Sequence, residues 1–247
     1  MMSAKFFENW FLPGVWLTVQ ITVLSALFAF VVSFVIGVLR TSRWRIVRIL
    51  SGAYFEIFRS TSALVFMFWI AFTVPMLLHI KFAPMFSGIL ALGITYGAYG
   101  SEIVRGALAA VPAAQREAGI ALNFTPMQRL RRIELPQAWP EMLPPFNNLL
   151  IELLKGTSLV SLIAVADMTF AGNLKRLVSG DSAPIYTLLL VLYFVFAFIL
   201  TRVMRLLERR AKARVGQRPA QSGLRALFGG VREKSAIDPI TSAGGAK

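Results

Sequence analysis

The 247 residues are 56% hydrophobic and only 15% charged, with a mean hydropathy of +0.65, which excludes an ordinary soluble domain. The formal net charge is +14, so the basic groups need an anionic partner or an aqueous face. There is no cysteine, which excludes disulfides and cysteine–metal sites.

Residues 1–14 read as a short extracytoplasmic leader, set off from the first span by Pro13-Gly14. Val15 to Leu39 then runs 25 residues without a charge, where roughly 20 apolar residues cross a bilayer. This run is too long for a cleavable signal peptide, and Lys5 and Glu8 ahead of it cancel. A second span is expected from near Ile49 to Leu78, carrying Glu56 and Arg59. Pro84 precedes a third, inside the uncharged run Phe82 to Ser101. A fourth follows Pro144-Pro145, within Met142 to Ala166, and is interrupted by Glu152 and Lys155. An outer segment, Asp167 to Asp181, leads to Pro184 and a fifth span, the uncharged Ala183 to Thr201. The expected fold is therefore an all-α integral membrane protein of five transmembrane helices, with a membrane domain over residues 15–210. Residues 211–247 are basic and rich in Gly, Ser and Ala, and are expected to form a mobile cytoplasmic tail.

Lys and Arg mark the cytoplasmic side of membrane proteins. Arg40, Arg43, Arg45 and Arg48 follow the first span, and Arg105, Arg116, Arg129, Arg131 and Arg132 surround the central loop. Eleven Lys or Arg lie between Arg202 and Lys247, whereas the loops around His79 and Lys81 and around Lys175 and Arg176 are poorer. An N-terminus outside and a C-terminus inside satisfy the rule throughout. The basic tail then reads as a membrane-side anchor drawn to anionic lipid, rather than as a nucleic-acid-binding arm.

The central loop, about residues 106–137, reads as two short helices around a tight turn. Pro112 suits a first helical turn, and Ala114, Ala118, Ala121 and Leu122 share one side of the first of these helices. Asn123 sits where a left-handed stop is needed. Thr125-Pro126-Met127-Gln128 is a capping box with proline at the first helical position. Met127, Leu130 and Ile133 share a face of the second helix, which Leu135-Pro136 is expected to end. A soluble helix–turn–helix suggests DNA. Here both ends run into membrane spans, and an apolar face on a short cytosolic helix suits a groove in a partner protein.

Four ordered motifs resemble the membrane subunits of ABC importers, in particular the polar amino-acid uptake family. They are Glu117-Ala118-Gly119 with Asn123 and then Ile133-Glu134-Leu135-Pro136; Ala98-Tyr99 with Glu102-Ile103 and Arg105-Gly106; Leu154-Lys155-Gly156-Thr157-Ser158-Leu159; and Tyr54, Glu56, Phe58, Arg59 and Thr61. The match spans roughly residues 15 to 210. Departures are Gly119 for the last alanine of the EAA triplet, Asn123 for the loop glycine, and Ala114 for the glycine before Gln115. Ser60-Thr61-Ser62 lacks the family's proline, so a kink in the second span is not expected. The run Tyr96 to Glu102 and Ala121-Leu122-Asn123-Phe124 also resemble permeases for ectoine and hydroxyectoine.

The resemblance implies a permease subunit in a bacterial inner membrane, paired with an identical or related permease. It also implies two ATPase subunits and an extracytoplasmic solute-binding protein. Contact with the ATPase would fall on Glu117, Ala118, Gly119, Asn123, Met127, Leu130, Ile133, Leu135 and Pro136. No GxxxxGK[ST] phosphate loop occurs, so ATP and magnesium would serve the partner, and this chain would bind no cofactor or metal of its own.

Glu56–Arg59, Glu102–Arg105 and Glu152–Lys155 each share a helix face and can partly neutralise one another. A lone charge at mid-bilayer costs about 2.5–3.5 kcal/mol on insertion scales. These residues, with Thr157 and Ser158, are candidates for the path of a zwitterionic solute, with structural pairing as the alternative. Phe68, Trp69, Tyr96 and Tyr99 are available to touch a cationic or apolar part of it. An enzyme is disfavoured, because the only histidine, His79, stands near an outer boundary and no GxSxG is present. A membrane scaffold without transport is the remaining alternative.

Overall fold

The computed structural model describes residues 11–214, so most of the leader and nearly all of the basic tail lie outside the described residues. Among the described residues, all regular structure is helical.

Two rows of small residues decide how the helices meet. The first helix, α1 (Leu12–Leu39), buries Thr18, Ser25, Ala29, Ser33 and Gly37. The helix α4 (Pro84–Ala109) buries Gly93, Gly97, Gly100 and Ser101 against it. In lipid, helices gain little from hiding apolar surface, and close backbone approach through small residues replaces that drive. A Cβ on Gly97 would lie 2.6 Å from Val32 Cγ1, and one on Gly37 2.6 Å from Val104 Cβ. Ser33 Oγ donates to Ala29 O at 2.6 Å and reaches Gly97 O at 3.2 Å, so the seam also carries a hydroxyl bond.

The matched pairs ascend together: Phe28 with Gly93, Val32 with Gly97, Gly37 with Val104. The two helices are therefore parallel, and the chain between them must return to the side from which α1 began. It does so in two pieces, α2 (Arg45–Ser60) and α3 (Ala63–Leu78), whose axes differ by 102°. The second span thus starts its climb at Ala63, not near Ile49. The bend also corrects the expectation drawn from the missing proline. Thr61 and Ser62 are extended, the Thr61 hydroxyl donates to Ile57 O at 2.7 Å, and Ser62 O accepts from Phe66 N at 3.0 Å. The Thr61 side chain thus takes up a carbonyl at the end of α2, and the Ser62 backbone carbonyl starts the ladder of α3. Above the bend, Met67 and Ile70 pack with Ile21, Ala91, Leu92, Val160 and Ile163.

A short helix, α5 (Ala113–Ala121), leads into α6 (Pro126–Ile163). Contrary to expectation, Leu135-Pro136 does not end a helix and the fourth span does not start after Pro144-Pro145: Pro136, Pro140, Pro144 and Pro145 all lie within α6. Just ahead of Pro136 the helix widens into a π turn over Leu130–Glu134, with Leu135 N donating to Leu130 O. Trp69–Thr73 does the same just ahead of Pro75, with Val74 N donating to Trp69 O. A wider turn relieves the clash of a proline ring with the carbonyl behind it and absorbs the missing donor.

Helix α6 runs antiparallel to α4: Gly156 abuts Tyr96 and Leu92, and Val160 abuts Gly88. Then α7 (Met168–Ser179) is capped by the buried Asp167, which accepts from Phe170 N at 2.9 Å. Met168 N donates to Thr18 Oγ1 at 3.1 Å, which ties α7 to the start of α1. The last helix, α8 (Ser182–Arg214), returns alongside: Leu189 seats on Gly172, and Leu200, Met204 and Leu207 share a cavity of about 330 Å³ with Phe30 and Trp139.

By length and composition α1, α6 and α8 are able to cross a membrane, and the bent α2–α3 pair is a fourth candidate. The 26 residues of α4, with Glu102 and Arg105 near its end, extend about 39 Å beside α1. The price of so tight a seam is intolerance of volume. Gly97→Leu is expected to reduce the folded protein recovered from membranes to a small fraction, and Gly97→Ala to do so less severely. Overpacking costs about 1–3 kcal/mol even at forgiving sites. Fluorescence-detected size exclusion of the two variants measures it.

Candidate functional site: a braced hairpin and a polar helix face

The hairpin joining α4 to α6 is built as its sequence implies. Asn123 has φ 54°, the left-handed conformation expected of it. Gln128 N donates to Thr125 Oγ1 at 3.3 Å, and Thr125 N donates to Gln128 Oε1 at 2.9 Å, closing the capping box. Gly119 explains its own departure from the motif. It is buried, and a Cβ there would lie 2.9 Å from Ile133 Cδ1 and 3.2 Å from Arg129 Cγ. Glycine therefore lets α5 and α6 cross.

Several charges brace the hairpin. Arg129 Nε lies 2.9 Å from Glu134 Oε1, with Arg116 Nε at 3.9 Å, and Arg116 also donates to Leu108 O at the end of α4. Gln137 Nε2 donates to Gln115 Oε1 at 3.3 Å, and the Arg132 guanidinium stands 5.7 Å from the Phe124 ring centre.

The free tip differs from the face that the sequence indicated. Leu130 and Leu135 pack against the cluster of Val104, Ala107, Leu108, Val111, Ala138 and Met142, and Ile133 sits under Gly119. Three of the nine expected contact residues are thus turned into the molecule, because the π turn rotates the face beyond Met127. Gly119 itself is buried, whereas Glu117, Ala118, Asn123, Met127 and Pro136 remain exposed. With them stand Leu122, 66% exposed, which the periodicity places on one side of the first hairpin helix, and Ile120, 57% exposed, which it does not.

Where the hairpin leaves the membrane domain, Arg40 at the end of α1 is nearly buried. It lies 2.7 Å from Glu102 Oε2 and 4.2 Å from the centre of the Phe55 ring. Glu102 also pairs with Arg105, as the spacing predicts. Arg40, 62 positions away in sequence, is a partner that spacing cannot reveal.

A second feature lies along α6. Glu141, Pro145, Asn148, Glu152 and Lys155 are all exposed, at alternating intervals of four and three. That spacing forms one continuous stripe of a helix. A polar stripe on a spanning helix faces protein or water rather than lipid. Glu141 and Asn148 were not among the predicted path residues, although the interval was visible in sequence. Beside the stripe, Tyr96 OH donates to Glu152 O at 3.0 Å, and Tyr99 OH donates to Arg59 O at 3.4 Å. Those two tyrosines bring the end of α2 next to the stripe. Glu56 and Arg59 pair loosely at 3.8 Å.

The other path candidates divide. Among the described residues no ion pair joins Glu152 to Lys155, so the expected mutual neutralisation is missing. Glu102 is held by Arg40 and Arg105. Thr157 is fully buried, and its hydroxyl donates to Leu154 O at 2.7 Å. The Ser158 hydroxyl donates to Lys155 O at 2.8 Å. Among the described residues no three His, Cys, Asp or Glu side chains gather as metal ligands.

A family model described as "binding-protein-dependent transport system inner membrane component" matches residues 29–213. The chain belongs to this family. The inner membrane component is 47% identical over 200 residues to a probable amino-acid ABC transporter permease of Sinorhizobium fredii, covering 79% of this chain and 84% of that protein. It is 32% identical to an L-cystine transport system permease of Bacillus subtilis, over 80% of this chain and 84% of the relative. It is 31% identical to a glutamine transport system permease of Escherichia coli, over 81% and 92%. Among solved structures, the crystal structure of an amino acid ABC transporter with histidines superposes with a TM-score of 0.74 at 28% identity, covering 81% of this chain and 93% of that one. An inward-facing methionine ABC transporter gives 0.73 at 22% identity, over 85% and 99%, a likeness of fold. The chain is therefore a multi-pass permease subunit of an ABC importer in a bacterial inner membrane, and not itself an enzyme. It works with a solute-binding protein and a separate ATPase.

Arg40→Gln and Glu102→Gln are each expected to lower the thermal midpoint of the purified subunit by a few degrees. Either change strands a partly buried charge, so the double variant should lose less than the sum of the two. Equal additivity in a thermal-shift series would show that the pair is not coupled.

Proposed function

We propose that the importer takes up a polar amino acid or a similarly zwitterionic solute, with ectoine or hydroxyectoine as the narrower candidate. The relatives' cargoes and the polar stripe on α6 support this reading. Two permeases, identical or related, would enclose the path, with two ATPases below and one binding protein outside. Positive charge at Arg40–Arg48, around the hairpin and on the end of α8 assigns those regions to the cytoplasm, with the N-terminus outside and five spans between. The directions in which the helices run agree with that assignment. ATP and magnesium belong to the ATPase partner.

The observation that carries coupling is the exposed apolar tip. Leu122, Met127 and Ile120 stand clear of the fold on a rigid, braced hairpin, with Glu117 and Asn123 beside them. Such a tip fits a groove on the ATPase, and movement of that groove would be passed into α4 and α6. Leu122→Asp and Met127→Asp are expected to insert normally yet to lose at least tenfold in uptake and in co-purifying ATPase, because a charge is forced into an apolar groove. Leu130→Asp should instead lower membrane abundance, because Leu130 packs inside. Wild-type uptake in both tip variants would remove the tip from the interface.

The solute path is proposed to run along Glu141, Asn148, Glu152 and Lys155, flanked by Tyr96, Tyr99, Glu56 and Arg59. Thr157 and Ser158 would shape it through the backbone. The double change Glu152→Leu with Lys155→Leu is expected to keep membrane abundance while uptake per molecule falls at least tenfold. Transport at the wild-type rate by that variant would make both charges dispensable and refute this path. Affinity of the companion binding protein for amino acids against ectoine, by calorimetry, decides the cargo.

A further inference from the structure

The helix α2 carries three faces. Val47, Ser51, Tyr54, Phe55 and Phe58 turn toward the protein. Ile46, Ile49, Leu50, Ala53 and Ile57 form a second, exposed apolar stripe, with Ile46 71%, Ile49 67% and Leu50 66% open. Arg45, Arg48 and Gly52 form a third stripe, and Arg43 and Trp44 precede the helix. Arg43, Arg45 and Arg48 are exposed, and none takes part in an ion pair among the described residues.

The helix also lies at an unusual level. Arg40 closes α1, yet its guanidinium touches Phe55, ten residues into α2. Ten helical residues advance about 15 Å. The first half of α2 therefore stays near the level of the end of α1, along the membrane boundary, and its second half climbs inward, where Tyr54 OH donates to Ile94 O at 3.0 Å and Arg59 O accepts from Tyr99 OH. The 102° bend then turns the chain upright. The 16 residues of α3 rise about 24 Å, some 6 Å short of a hydrocarbon core of about 30 Å. A helix sunk roughly 5–10 Å into the interface supplies the difference.

We propose that the first half of α2 is a docking surface for anionic phospholipids of the cytoplasmic leaflet. Ile46, Ile49, Leu50 and Ala53 enter the acyl layer, Trp44 lies at the headgroup level, and Arg43, Arg45 and Arg48 meet the phosphates. Charge complementarity and the in-plane level select lipid as the occupant. Glu56 and Arg59, farther along the same stripe, pair with each other, so the three cations at its start are left for an anionic surface. The proposal rests on the inner-membrane placement and on the cytoplasmic assignment of Arg40–Arg48, but on neither the tip nor the solute path. Through Arg40, which joins Phe55 to Glu102, the docked helix is fastened to the end of α4 just above the hairpin.

The chain lacks cysteine, so Arg45→Cys, Ile46→Cys, Arg48→Cys, Ile49→Cys, Leu50→Cys and Gly52→Cys each accept one nitroxide label. The labelled subunit is assembled with its ATPase in vesicles containing phosphatidylglycerol. Labels at 46, 49 and 50 are expected to be reached by oxygen from the acyl layer, and those at 45, 48 and 52 by a water-soluble nickel complex. Shielding of 46, 49 and 50 from both reagents would mean that a protein surface covers them, and would overturn the proposal. Access of the nickel complex to those three positions would also overturn it. Phosphatidylglycerol enriched around the complex in mixed vesicles, read by mass spectrometry, is expected to fall roughly fivefold for each of Arg43→Gln, Arg45→Gln and Arg48→Gln. Unchanged enrichment in the triple variant would exclude the arginines as the anionic contact. Binding-protein-stimulated ATP hydrolysis on the same samples reports coupling separately, and is expected to persist.

Discussion

The close seam between α1 and α4 is the constraint on which the rest depends. Its contacts are backbone-to-side-chain approaches that only glycine, alanine and serine permit, at Gly37, Gly93, Gly97, Gly100 and Ser33. Because lipid does not push apolar helices together, such approaches are the main source of cohesion between them. The seam is also parallel, and a parallel seam dictates topology. The intervening chain has to return, which makes the broken α2–α3 pair a geometric necessity and not an irregularity.

From that frame the site follows in steps. The end of α1 delivers Arg40 to Glu102 and Phe55, so one nearly buried cation holds α1, α2 and α4 at a single level. Directly beyond that level the chain leaves α4 and forms the hairpin. Its braces, Arg116 to Leu108 O and Arg116 to Glu134, tie α5 to both flanking helices, so a force on the tip is not lost in a loose loop. The prolines of α6 are accommodated by a π turn placed at the junction between hairpin and span. That turn sets which side chains point outward at the tip and which point inward.

Polar groups in this permease are divided by what they are asked to do. Thr18, Ser33 and Thr157 are fully buried, and their hydroxyls bond to carbonyls one turn back, which leaves no hydroxyl proton unpaired in a medium without water. Glu141, Asn148, Glu152 and Lys155 are exposed on one stripe of a spanning helix, where lipid is a poor neighbour. That contrast separates structural polarity from polarity held for a solute or a second subunit.

The sequence by itself determined the class and the local chemistry. Uncharged runs and four ordered motifs pointed to a membrane permease of this family, and the family match bears that out. Asn123 in the left-handed region and the Thr125–Gln128 capping box formed where local rules placed them, since each depends on neighbours within a few residues. Tertiary structure decided what long-range geometry governs. The bend at Thr61-Ser62 formed without a proline, because the Thr61 hydroxyl and the Ser62 carbonyl took up groups at the broken ends while the parallel seam demanded a return. Pro136 did not end a helix and Pro144-Pro145 did not precede the start of one, because a π turn and the packing of Ala138 and Met142 carried the helix through. Leu130, Ile133 and Leu135 turned inward because that same turn rotated their face. Arg40 found Glu102 and not a sequence neighbour, since only the register of α1 on α4 brings the two together.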